Sequence, residues 1–180
     1  PGATVVATGV AHAAAVTSQL PELSQANLLR EPSPKESAAA IGLAAAIIEL
    51  RDPDAIVGSF AADHVISDDD VFREAVREAY YAAADDWVVT IGIRPSEASS
   101  AFGYIHTGEP HPVPGAPSAL TVQAFVEKPD YQTASSYVAS GDYLWNAGMF
   151  ISKAGVLLGR MQAEKPELVG ALREIAASWD

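Results

Sequence analysis

Phe125-Val126-Glu127-Lys128-Pro129, followed by Tyr143-Leu144-Trp145-Asn146-Ala147-Gly148-Met149-Phe150, sets an acid, a base and an amide at the ends of two apolar strands. A carboxylate accepts hydrogen bonds from a pair of sugar hydroxyls, an ammonium neutralises phosphate as a compact point charge, and an amide both donates and accepts. The grouping suits a ligand that carries hydroxyls and phosphate together. Outward from it, apolar runs of strand length alternate with longer segments of helical period, the pattern of an α/β sheet with helices on its faces. Strands are expected at residues 3–8, 26–30, 55–60, 87–93, 119–125 and 147–152. Most are continuously apolar, as buried strands are.

Helices are expected at residues 37–50, 67–84, 131–140, 154–163 and 167–178. The first carries Ile41, Ala44, Ala45 and Ile48 on one stripe, with Gly42 a weak point of about 1 kcal/mol against alanine. The second has Ser67 as its cap and three aspartates at the positive end of its dipole. Residues 107–118 are rich in Gly, Pro and His and read as a surface loop joining two strands of a hairpin. No repeat or linker divides the chain, so residues 1–180 read as one domain, and the opening on Pro1 marks it as a piece of something longer.

At 180 residues and 49% apolar, the chain is large enough for a real core. Glu49, Arg51 and Asp52 end the longest Ala/Ile stretch well before a bilayer is spanned, and no signal peptide opens the chain, which predicts no membrane partner. The absence of cysteine removes disulfides and thiolate zinc sites and fits the cytoplasm. A net charge of −12 argues against nucleic acid as a partner. It also means that cations such as Arg30, Lys35, Arg94 and Lys128 must act locally on any anionic substrate, helped by a divalent metal.

Four groups fall where such a sheet keeps its site, at strand ends. Residues 30–37 are a rigid turn with Ser37 as a cap, or a helix N-terminus whose N–H groups meet a base edge or phosphate. Asp63, after the small residues Ala61 and Ala62, is an ordinary turn former or an oxygen ligand for Mg²⁺, with His64 orienting the loop. Gly103, between Phe102 and Tyr104, marks a bulge or the close approach of a ligand. Glu127-Lys128-Pro129 is a solvated turn or, with Asn146 and Gly148, the binding group described above.

Taken in order, these segments resemble the sugar-1-phosphate nucleotidyltransferases, and among them the mannose-1-phosphate guanylyltransferases. Glu31-Pro32 with Lys35 and Ser37-Ala38 looks like the family's base-side loop, and Ala62-Asp63-His64 like its P-[AS]-D-H with alanine in place of the usual proline. Phe102-Gly103-Tyr104-Ile105 looks like its Y/F-G-Y-I, residues 125–129 match F-x-E-K-P, and residues 145–150 match W-N-[AS]-G-[MI]-F. The resemblance implies a Rossmann-like, mixed but mostly parallel sheet flanked by helices, incomplete at both ends: the family's Gly-rich G-x-G-T-R loop and a second metal-binding Asp are missing. The fragment alone is therefore expected to be a poor catalyst.

The implied reaction is guanylyl transfer from GTP to mannose 1-phosphate. Asp63 would bind Mg²⁺, Lys128 the sugar's phosphate, and Glu127, Asn146 and Gly103 the sugar, while Glu31, Lys35, Ser37 and Ala62 would line the nucleotide. The alternatives are a related enzyme with another base or sugar, or a non-catalytic sugar-nucleotide-binding homologue. An apolar strand edge left by the absent Gly-rich unit would favour a homo-oligomer.

Overall fold

A computed structural model describes residues 2–33 and 36–179. Its elements run β1 (Val6–Gly9), α1 (Ala13–Gln19), a 3-10 turn (Gln25–Asn27), β2 (Leu28–Glu31), α2 (Ser37–Arg51), β3 (Ile56–Ser59) and α3 (Asp69–Ala84). They continue as β4 (Val89–Ile93), β5 (Tyr104–Pro110), β6 (Leu120–Val126), α4 (Tyr131–Ser140), β7 (Tyr143–Lys153), α5 (Ala154–Glu164) and α6 (Pro166–Ala177). The described residues gather into two compact units, one of residues up to Val57 together with those from Ala154 on, the other of residues 58–153.

In the first unit β1 and β2 pair in parallel, with Val6 opposite Leu28 and Gly9 opposite Glu31. Helix α2 is apolar almost all round, and such a helix is buried rather than laid on a surface. It forms a core with Leu29 of β2, Ala154 and Leu158 of α5, and Val169 and Ala176 of α6. Gly42, read from sequence as a weak point, lies within this packing. A Cβ there would come 2.7 Å from Leu172 Cδ1 and 2.8 Å from Met161 Cε, so its small size lets α2 approach both later helices.

Asn27 ties the unit's edges together. Its Nδ2 donates to the carbonyls of Thr4 (3.0 Å) and Gly2 (3.3 Å), and its Oδ1 accepts from Arg51 Nη1 at 2.7 Å. Arg51 Nη2 and the Trp179 indole N–H both donate to the Ala26 carbonyl at 3.0 Å.

In the second unit β5 lies antiparallel between β6 and β7, and β4 pairs antiparallel with β7. The mixed α/β class holds, with a sheet more antiparallel here than the mostly parallel one expected. The physical reason is the hairpin at residues 111–119, too short for the crossover a parallel pair requires. Strand β5 also takes up the first part of the expected loop, running to Pro110. Strand β7 begins at Tyr143 rather than 147 and so contains Trp145 and Asn146.

Helix α3 buries Ala79, Ala82 and Ala83. Its cap is Asp68, which accepts from Val71 N–H at 3.0 Å, not Ser67. Residues 67–70 are all capable of capping, and only the chain's approach decides among them. No helix among the described residues is long and apolar enough to cross a membrane.

Because Asn27 is only 6% exposed and uses both ends of its amide, Asn27→Ala takes a donor from two carbonyls and the acceptor from Arg51 Nη1, leaving that guanidinium only its bond to the Ala26 carbonyl. The expected loss is about 1–3 kcal/mol of unfolding free energy, read by urea denaturation with the slope unchanged.

Candidate functional site

Register alone assembles the site. Tyr104 of β5 is paired with Val126 of β6 on one side and Trp145 of β7 on the other. In antiparallel strands the residue before Tyr104 then stands beside the residues after Val126 and Trp145, which are Glu127 and Asn146. The Asn146 backbone N–H donates to the Gly103 carbonyl at 2.8 Å. A Cβ on Gly103 would lie 2.8 Å from Glu127 Oε2 and 3.6 Å from Asn146 Cβ. The glycine therefore admits a close approach, that of the Glu127 carboxylate.

Lys128 follows in the left-handed region, at φ 44°. That conformation costs a residue with a side chain of order 1 kcal/mol and is held only where its surroundings impose it. Here Pro129 is buried, and Asp130 caps α4 by accepting from the Thr133 N–H and hydroxyl, both at 2.9 Å. Lys128 Nζ lies 3.2 Å from Glu127 Oε1, with the two side chains 63% and 71% exposed. An ion pair this open adds little to stability, so both charges are free to engage a ligand.

Asn146 is held more firmly. Its Oδ1 accepts from the Gly148 N–H at 3.0 Å and lies 3.4 Å from Thr90 Oγ1. Beside it, Trp145 packs edge-on against Phe102, with ring centres 4.9 Å apart. Sequence reasoning missed both Thr90 and Asp130. The Asp130-x-x-Thr133 spacing was a cap signal available in the sequence, whereas the approach of Thr90 to Asn146 has no local signature.

The structure thus brings together Gly103, Glu127, Lys128 and Asn146. Asp63 and Ala62 lie in an exposed loop of the same unit, and among the described residues no hydrogen bond or ion pair joins Asp63 to that group. His64 lines a cavity of about 350 Å³ with Phe60, Phe72 and Met149. Glu31 ends β2, half-buried, its carbonyl accepting from Val10 N–H at 3.1 Å. Ser37 is the exposed first residue of α2 rather than its cap; Glu36 occupies the cap position without a side-chain bond. Lys35 lies outside the described residues.

Among the described residues no cluster of three or more His, Asp or Glu side chains could hold a metal ion. A single carboxylate such as Asp63 still fits Mg²⁺, which keeps several waters and commonly binds through one or two carboxylates and the phosphates of a substrate.

Glu127, Lys128 and Asn146 thus bring a carboxylate, an ammonium and an amide to one corner of an α/β fold. Residues 3–179 match the family model described as nucleotidyl transferase, and the chain belongs to that family. It is 39% identical over 173 residues to a mannose-1-phosphate guanylyltransferase of Escherichia coli K12, a match covering 94% of this chain and 36% of the relative. A mannose-1-phosphate guanylyltransferase of Salmonella typhimurium LT2 is 40% identical over 175 residues, with the same coverage. Among solved structures, one described as a mannose-1-phosphate geranyltransferase from Thermus thermophilus superimposes with a TM-score of 0.85 at 29% identity, over 98% of this chain and 50% of that one. The chain spans about a third of the length of these curated relatives.

Hydrogen bonds from Thr133, first its backbone N–H and then its hydroxyl, hold the Asp130 carboxyl below the ordinary value of 3.8. Folding therefore favours the ionised form. The cap's contribution is complete above pH 3.8 and is lost as pH falls through the depressed folded-state value. A carboxyl-carbon NMR titration should give Asp130 a midpoint below 3.8, and Thr133→Val, which removes the hydroxyl donor, should move it upward.

Proposed function

We propose that this chain carries the sugar-phosphate side of a guanylyl transfer from GTP to mannose 1-phosphate, giving GDP-mannose and pyrophosphate. The observation that carries the proposal is the meeting of Glu127, Lys128 and Asn146 around Gly103 at one corner of the sheet. The names of the relatives supply the particular nucleotide and sugar.

In this reading a phosphate oxygen of mannose 1-phosphate attacks the α-phosphorus of GTP in line. The bond from that phosphorus to its bridging oxygen breaks, and pyrophosphate leaves with the electron pair. Such transfers need positioning and charge neutralisation more than acid–base chemistry. Lys128 holds the attacking phosphate, Glu127 accepts from sugar hydroxyls, and Asn146 donates to the sugar beside the Gly103 backbone. Glu31, Lys35 and Ser37 line the base, with Ala62 giving the nucleotide room at the backbone. Asp63 would hold Mg²⁺, which when bound supplies positive charge against the phosphates. Consumption of GTP by a cysteine-free chain suits the cytoplasm.

The test is pyrophosphate release from GTP and mannose 1-phosphate by the intact protein. Lys128→Ala should lower kcat/KM by about 2–4 kcal/mol, the scale of one preorganised charge-stabilising donor; near-normal turnover would remove Lys128 from the reaction. Gly103→Ala should raise the KM for mannose 1-phosphate while leaving the melting temperature nearly unchanged, because the atom its methyl displaces is the tip of the exposed, flexible Glu127 side chain.

A further inference from the structure

Asn146 enters the proposed site as a hydrogen-bond donor, and a primary amide can present either face. What decides the face lies outside the group of residues that would touch the sugar. The Gly148 N–H is a donor only, and it sits 3.0 Å from one end of the Asn146 amide, so that end is the carbonyl oxygen. The Thr90 hydroxyl lies 3.4 Å from the same oxygen and, facing an acceptor, must donate to it. With Oδ1 engaged on both counts, Nδ2 is the end left to a ligand.

The backbone builds this arrangement through a change of register. Thr90 is paired with Phe150, and Gly92 with Asn146. Between those pairs β4 advances two residues while β7 advances four, so β7 carries extra residues and bulges. Gly148 sits in the bulge at φ 67°, which folds its N–H back toward Asn146. Bulges of this kind re-aim a side chain, and here the one re-aimed belongs to the site. A threonine in a strand is ordinarily explained by its β-branched shape alone. The hydroxyl's reach across 56 positions of sequence to a site amide is a separate property, and one that shape does not supply.

We infer that Thr90 is a positioning residue: with the Gly148 N–H it fixes the Asn146 amide so that Nδ2 donates to the sugar phosphate. The inference rests on the functional reading above for its ligand but not for its geometry. Two variants of the intact protein separate hydroxyl from shape. Thr90→Val keeps the branched outline and removes the donor, whereas Thr90→Ser keeps the donor.

Thr90→Val should raise the KM for mannose 1-phosphate about three- to tenfold, the size of one neutral hydrogen bond. The KM for GTP and the melting temperature should not move, and Thr90→Ser should behave as the unaltered protein. Side-chain ¹⁵N relaxation of Asn146 in ligand-free protein should report an ordered amide in the unaltered protein and Thr90→Ser, and a mobile one in Thr90→Val. An unchanged sugar-phosphate KM in Thr90→Val, equal damage in both variants, or an amide as ordered without the hydroxyl as with it would each overturn the inference. An unaltered protein that makes no GDP-mannose, yet whose Asn146 loses order in Thr90→Val, would overturn the functional reading while supporting the positioning role.

Discussion

Strand β5 is hydrogen-bonded on both edges at once, and every residue in the proposed sugar-phosphate group depends on that fact. Because Tyr104 faces Val126 on one side and Trp145 on the other, three residues scattered along the sequence are forced to one corner of the sheet. A slip of one residue in either pairing would turn Glu127 or Asn146 to the opposite face. The register is pinned by burial as well as by the ladder. Tyr104 is fully buried, its hydroxyl donates to the Ser99 carbonyl at 3.0 Å, and its ring meets Tyr137 edge-on at 5.5 Å. Tyr137 in turn stacks on Tyr143 at 3.8 Å, at the start of β7. The aromatic column and the two ladders thus specify one alignment.

Charge then sets what that corner can do. In a chain of net charge −12, the phosphate of the proposed substrate is repelled at long range and must be met by a local cation. Lys128 is exposed and, among the described residues, paired only with its own neighbour, an arrangement that leaves the ammonium open to a competing anion. Its long stem would ordinarily lose much freedom on binding. The turn beneath it is already fixed by the buried Pro129 and the Asp130 cap, so only the side chain remains to be ordered.

Much of this was legible in the sequence, and where it was not the cause is physical. Helix α4 could be read to the residue, because Gly141 closes it at φ 79° and no competing signal lies near. Helix α3 could be read in its apolar face but not its cap, since adjacent aspartates and a serine offer equivalent oxygens. Helix α1 was not anticipated: His12 makes no side-chain cap bond, and the segment has neither an acidic first turn nor a basic last turn to announce it. Strand β7 is longer than its sequence suggests because its bulge breaks the alternation that marks a strand. The motif residues Glu127, Lys128 and Asn146 could be named as a group from their chemistry. Thr90 could not, because its role is created by a cross-strand register that no local pattern encodes.

The two glycines nearest the site make the same point from opposite directions. In sequence Gly103 and Gly148 look alike, single glycines next to aromatic and apolar residues. Gly103 has an ordinary backbone conformation, and its missing Cβ is required because the Glu127 carboxylate stands in that space. Gly148 has open space where its Cβ would be, and glycine is required there because φ is 67°. One glycine makes room for a charge and the other turns an N–H toward an amide. The carboxylate and the amide they serve are therefore placed as much by where side chains are withheld as by where they are supplied.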